Sequence, residues 1–522
     1  MWSQMRIIHV LGVLTLAGSA GVASARPVVV AGGGSIEGVA EPGLTVYRGV
    51  PFAAPPTGAQ RWREPQPVKP WTGVRRAEAF APACMQTGVS MPGEPPPRTS
   101  EDCLYLNVWA PDHRPDERLP VLVWIHGGGY INGATSMPLY AGDRLARKGL
   151  IVVTVAYRLG PFGFLAHPEL TKESARHGSG NYALMDQIAA LRWVQRNVAA
   201  FGGDPGRVTI AGQSAGAMSV SLLMAAPAAT GLFQRAIAQS GGVFEPTQIA
   251  PHYLLANAER AGVDYATSVG AHSLAELRKV SAAALLGGNA GAVGHPVIEP
   301  AVLPESPYDA YVAHHQRAVP VLIGWNADEA RSLVDLSKVK AASFAQDIAQ
   351  AWGPLPPPVI AAYPFAGDDQ ARKARADLER DLRFAWDMWT WARLQVAAGG
   401  KVWLYRFTQA PPFPAASVRA GWGASHFAEL WYMFGHLDQE SWAWRAADRR
   451  LSDAMVGYWA NFVRSGDPND ATLPRWPAFT VAGAQVLKLG DPIAVGGVPE
   501  LPGLQVFDAV YAHVRGAPVP AH

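Results

Sequence analysis

The residues Gly212-Gln213-Ser214-Ala215-Gly216 carry the clearest chemistry in the chain. A serine between glycines can sit on a turn too sharp for larger side chains, which lifts its hydroxyl clear of the backbone. Arg207-Val208-Thr209-Ile210-Ala211 before it has strand character, and residues 217–224 after it are small and apolar at helical spacing. Strand, turn and helix in that order would aim helix N–H groups at any anion forming on the serine. That is acyl-transfer chemistry, and it requires a base, an acid to orient the base, and donors for an oxyanion. The run His126-Gly127-Gly128-Gly129 follows the apolar segment Val121-Leu122-Val123-Trp124-Ile125 and offers such donors. Each pattern alone is also compatible with a plain turn.

The elements needed to position these groups are readable nearby. Residues 103–110 and 120–125 are strand candidates, and 150–157 is a third, with β-branched Ile151-Val152-Val153-Thr154-Val155 in near-continuous apolar order, the mark of strands covered on both faces of a largely parallel sheet. Residues 182–201 repeat apolar side chains at helical spacing through Leu184, Ile188, Leu191, Val194 and Val198. Strands are also expected at 319–324 and 402–407, and an amphipathic helix at 451–464. An early hairpin is expected within 28–46, a proline-rich coil at 51–70, and helix-rich stretches at 250–300 and 340–400. Alternating strands and helices predict an α/β fold, read as one large domain over residues 26–522.

Bulk properties exclude other classes. Charged residues make up 16% of 522 residues and the formal net charge is +2, so there is no basic field for nucleic acid. Residues 1–25 read as a signal peptide: one positive charge, an apolar core, then Ala23-Ser24-Ala25 as a cleavage site. No later apolar run of membrane-spanning length follows, so no stable membrane insertion is expected after cleavage. The chain is therefore expected to be exported, periplasmic or secreted. Its two cysteines, Cys84 and Cys103, read as a disulfide in that setting, against the alternative of two buried thiols. Thiols are too few, and histidines too dispersed, for a metal site.

The chain resembles the type-B carboxylesterase and cholinesterase family of α/β-hydrolases over roughly residues 27–510. The resemblance rests on Gly49-Val50-Pro51-Phe52-Ala53, Glu101-Asp102-Cys103-Leu104-Tyr105-Leu106-Asn107-Val108, the Gly127–Gly129 run, Asn181-Tyr182-Ala183-Leu184-Met185-Asp186-Gln187, Phe201-Gly202-Gly203-Asp204-Pro205 and the serine pentapeptide. It implies a mostly parallel central sheet flanked by helices, with large helical insertions. It also implies roles by position. Ser214 is the nucleophile, Glu329 in Asn326-Ala327-Asp328-Glu329-Ala330 the acid, and His426 in His426-Phe427-Ala428-Glu429 the base. Gly128, Gly129 and Ala215 supply oxyanion N–H groups. Asp328 is the rival acid, His436 the rival base, and His126 a structural residue. Cys84 and Cys103 match the family's first disulfide, Arg61–Glu101 and Arg158–Asp186 its ion pairs, and Ser240 a hydroxyl near the histidine.

The implied activity is hydrolysis of a small-molecule carboxylic ester through an acyl-serine, with no cofactor and no metal; no oligomeric state is implied. Amide or lactone hydrolysis by the same triad, or an inactive binding module on this fold, are the alternatives. Three departures stand out: Ala330 and Phe427 replace glycines, Gln213 replaces a frequent glutamate, and residues 84–103 contain no aromatic ring. Without that ring and that carboxylate, choline esters are not expected substrates.

Overall fold

Residues 27–516, apart from 90, 92 and 115, are described by a computed structural model; the expected signal peptide, residues 1–25, lies outside the described residues. Side-chain alternation along its central strands divides the core in two. Leu119–Ile125 is buried throughout, yet Val121, Val123 and Ile125 enter one hydrophobic core while Leu122 and Trp124 enter another. In Val321–Asn326 the residues Val321, Ile323 and Trp325 join the first core and Leu322 the second. Successive Cβ atoms point to opposite faces of a sheet, so an uninterrupted apolar strand must be covered on both.

The large sheet comprises β1 (Val39–Glu41), β2 (Leu44–Pro51), β3 (Tyr105–Pro111), β4 (Leu119–Ile125), β5 (Ile151–Val155), β6 (Gly203–Gln213), β7 (Arg235–Gln239), β8 (Val321–Asn326), β9 (Val402–Phe407), β10 (Gln485–Leu489) and β11 (Ala494–Gly497), in spatial order β11-β10-β9-β8-β7-β6-β4-β5-β3-β2-β1. From β5 to β10 neighbouring strands run parallel; the flanks are antiparallel. This is the mostly parallel α/β sheet expected. Helices α1 (Tyr182–Asn197) and α2 (Ala215–Ala225) bury Leu184, Ile188, Leu191, Val194, Leu222 and Leu223 on the first face. On the opposite face α5 (Ala446–Ser465) buries Leu451, Met455, Tyr458, Trp459 and Phe462, the stripe legible in sequence. Between them in chain order come α3 (Asp368–Arg380) and α4 (Trp386–Ala397), and α6 (Leu501–Arg515) follows last.

The N-terminal segment differs from the single hairpin expected. Val28–Ala31 pairs with Gly34–Glu37, and a second hairpin joins β1 to β2, because Pro42-Gly43 supplies another tight turn with Gly43 at φ 77°.

Cys84 and Cys103 are joined in a disulfide across a sequence separation of 19. Closing a loop of that length removes about 3 kcal/mol of unfolded-chain entropy in the simple model. Replacing both cysteines with alanine is expected to lower the free energy of urea unfolding by about that amount; an unchanged midpoint and slope would contradict it.

Candidate active site

Tight backbone contacts build the serine elbow. Ser214 stands between β6 and α2 as the residue that caps the helix, with φ 57° and ψ −127°, a region L-residues rarely occupy. A Cβ on Gly216 would overlap the Ile125 carbonyl oxygen, and one on Gly212 would overlap the Gly216 backbone. One on Gly241 would lie 2.5 Å from the Ser214 carbonyl oxygen. Such packing demands small residues, which a plain turn would not. Ser214 is partly exposed between the buried Gln213 and Ala215.

The glycine run lies against this elbow. A Cβ on Gly127 would sit 2.6 Å from the Gln213 carbonyl oxygen and 3.0 Å from Ser214 Cβ. Gly128 and Gly129 have φ of 107° and 60°, and their N–H groups meet no protein acceptor among the described residues. Ala215 is the first residue of α2, so its N–H has no intrahelical acceptor. His126 anchors the run. Its ring stacks on Tyr157 with centroids 4.5 Å apart, and its Nδ1 lies 2.9 Å from the Gly127 carbonyl oxygen. Burial pushes its pKa down to about 4, so the ring is neutral.

Glu329 lies just beyond β8, and His426 on the long loop after β9. His426 Nδ1 is 2.6 Å from Glu329 Oε2, and both residues are buried. The other carboxylate oxygen accepts the Asn326 N–H at 2.7 Å. Asp328 turns away: it accepts the Ala424 N–H at 3.0 Å and pairs with Arg331 at 3.0 Å. His436 is engaged elsewhere, with Nε2 2.9 Å from the Ala141 carbonyl oxygen. The structure thus brings Glu329 and His426 together and leaves both rivals outside. It records no hydrogen bond from Ser214 to His426; such bonds are commonly long before substrate arrives. Ser240, at φ 56°, donates its N–H to Gly324, but its buried hydroxyl has no protein partner among the described residues and does not reach the histidine.

Two residues hold the imidazole. Gln213 Nε2 lies 3.4 Å from His426 Nδ1 and 3.2 Å from Nε2. Near-equal distances to both nitrogens put the amide over the ring face, not in line with either lone pair. Phe384 covers the other face, with centroids 4.6 Å apart and planes 14° apart. It projects from a π-helical turn at Asp381–Ala385, between α3 and α4, a distortion found often at functional sites. Sequence marked Gln213 only as a departure and gave no signal for Phe384.

Glu429 was legible in the His-x-x-Glu spacing, but its role was not. It is fully buried, and its oxygens accept from Gln239 Nε2 at 3.1 Å and Asn326 Nδ2 at 2.5 Å. Burial first, and then the neighbouring Glu329 charge, push its pKa up to about 7. The folded state therefore binds a proton that the unfolded chain, titrating near 4.5, releases earlier. This contribution to stability is complete below about 4.5 and is lost as pH rises through about 7. Glu429→Gln is expected to gain on the parent, between about pH 5 and about pH 8, by on the order of 3 kcal/mol in urea unfolding. A stability difference independent of pH would contradict this titration.

Met91, Phe413, Trp422, Phe427, Trp431 and His426 line a cavity of about 130 Å³. Beyond Ser332, Leu333 and Trp422, which both share, lies a wider cleft of about 1020 Å³. Every cation lining that cleft has a carboxylate partner, Arg331 with Asp328 and Arg406 with Glu500 among them, so it is not built to hold an anion. Among the described residues no group of acids, histidines or cysteines is placed to hold a metal, and no helix is long and apolar enough to cross a membrane.

A mostly parallel sheet with a strained serine between strand and helix, and an acid and a histidine on later strand ends, defines an α/β-hydrolase. Residues 25–352 and 361–500 match the model of the carboxylesterase family. The fumonisin B1 esterase of Sphingopyxis macrogoltabida is 36% identical over 482 residues, covering 89% of this chain and 86% of that protein. The para-nitrobenzyl esterase of Bacillus subtilis (strain 168) is 34% identical over 488 residues, covering 90% and 95%. A solved PNB esterase superposes with a TM-score of 0.79 at 33% identity, covering 92% of this chain and 99% of its own. The chain belongs to the carboxylesterase family and is an ester-hydrolysing enzyme.

Proposed function

We propose that the chain hydrolyses small-molecule carboxylic esters through an acyl-serine intermediate on Ser214. His426 takes the Ser214 proton as Oγ attacks the carbonyl carbon. N–H groups of Gly128, Gly129 and Ala215 hold the resulting oxyanion. The imidazolium passes its proton to the leaving oxygen, the carbon–oxygen bond breaks, and the alcohol departs. Water then attacks the acyl-serine, giving a proton to His426, which passes it to Ser214 Oγ as the carbon–oxygen bond breaks and the acid is released. Glu329 keeps Nδ1 protonated and Nε2 free for both transfers, and stabilises the charge that forms. The buried contact of 2.6 Å between His426 and Glu329, on a ring clamped beside the serine elbow, is the observation that carries this reading.

Residues 26–522 would act as one catalytic domain. The disulfide fits an oxidising compartment, in line with export behind a leader at residues 1–25. Hydrolysis of p-nitrophenyl esters of rising chain length, against matched p-nitroanilides, tests the ester assignment. Turnover of esters well above anilides is expected; faster anilide cleavage would make it an amidase.

A further inference from the structure

We propose that Phe427 sets the size of the alcohol group the enzyme accepts, limiting it to about one ring or a short alkyl chain; this rests on the ester-hydrolase reading above. The cavity beside His426 holds about 130 Å³ and its walls are almost wholly aromatic or apolar. An apolar cavity of about 150 Å³ holds one benzene, so this space suits a group of similar size.

Its position relative to His426 assigns it to the alcohol side. Gln213 and Phe384 cover the two ring faces, and Glu329 takes Nδ1. The edge bearing Nε2 is the part left for a substrate, and Nε2 delivers the proton to the leaving oxygen. A group attached to that oxygen is therefore carried toward the cavity that His426 helps to line.

Phe427 is the wall that the sequence makes unusual. Its backbone is at φ 74°, a conformation glycine adopts freely and phenylalanine does not. Its ring stands edge-on to His426, with centroids 4.8 Å apart and planes 75° apart. The backbone strain is borne while a ring fills space beside the His426 imidazole, and glycine there would remove both.

The test uses the full chain and five esters: methyl acetate, phenyl acetate and 1-naphthyl acetate, which differ in the alcohol, and methyl benzoate and methyl 1-naphthoate, which differ in the acid. The parent is expected to favour phenyl over naphthyl acetate in kcat/KM by about tenfold or more. Phe427→Gly is expected to close that gap by about tenfold while moving the benzoate-to-naphthoate ratio by less than about threefold. Met91→Trp, which fills the cavity from the disulfide loop, is expected to lower phenyl acetate turnover relative to methyl acetate by about tenfold. An alcohol ratio unmoved by both variants, or a shift in the acyl ratio instead, would overturn the assignment to Phe427. If the parent cleaved none of the esters and Ser214 resisted a fluorophosphonate, the ester reading itself would fall, and the proposal with it.

Discussion

Ser214→Ala is expected to lower kcat for ester hydrolysis by roughly 10⁴–10⁶, with KM little changed. The nucleophile forms the only covalent bond to the acyl group, so no neighbour replaces it. Residual turnover would come from the oxyanion donors polarising the carbonyl for direct attack by water. The variant should fold normally. Ser214 is partly exposed, and alanine removes one oxygen that forms no hydrogen bond to protein among the described residues. His426→Ala is expected to fall in the same range, and the double variant little lower, because the two residues act as a unit. A drop smaller than about tenfold in either single variant would contradict the triad.

Glu329→Gln is expected to cost roughly 10⁴ in kcat, with KM again little changed. Both carboxylate oxygens are committed, one to His426 Nδ1 and one to the Asn326 N–H. A glutamine would keep the shape but could present its amide NH₂ to Nδ1, forcing the imidazole into the tautomer that cannot accept the serine proton. Asp328→Asn discriminates. That carboxylate binds Ala424 and Arg331 outside the buried pair, so its loss is expected to change kcat by less than about threefold. Equal losses in both variants would mean that the acid assignment is wrong. Ala330, where the family pattern has glycine, is buried in the short turn after Glu329, and the contact of Glu329 with His426 is kept at 2.6 Å.

How far the sequence reveals this site depends on whether a role is local or assembled. The strand runs around Val123 and Val153 were legible because burial on both faces demands unbroken apolar side chains. Ser214, Glu329 and His426 each sit in short motifs whose neighbours are dictated by backbone contact, as Gly212 and Gly216 are by their overlaps. Phe384 was not legible. It is one phenylalanine in a helical stretch, and only the π-helical turn and the fold bring its ring onto His426. Gln213 stood out as a departure, yet its place over the imidazole comes from the elbow and a loop more than two hundred positions away. Phe427 was visible as a replaced glycine, but its positive φ belongs to the backbone alone. Strands β10 and β11 were missed for a different reason. They are short: β10 buries only Val486, Leu487 and Leu489 among exposed polar residues, and β11 is exposed along its whole length.

In the proposed mechanism one hydroxyl, that of Ser214, receives the acyl group. Peptide mapping by mass spectrometry after brief exposure to a fluorophosphonate reads it directly. One adduct is expected, on the peptide carrying Ser214, lost in Ser214→Ala and strongly slowed in His426→Ala. An adduct on another residue, or an unmodified Ser214 in folded and active protein, would contradict it.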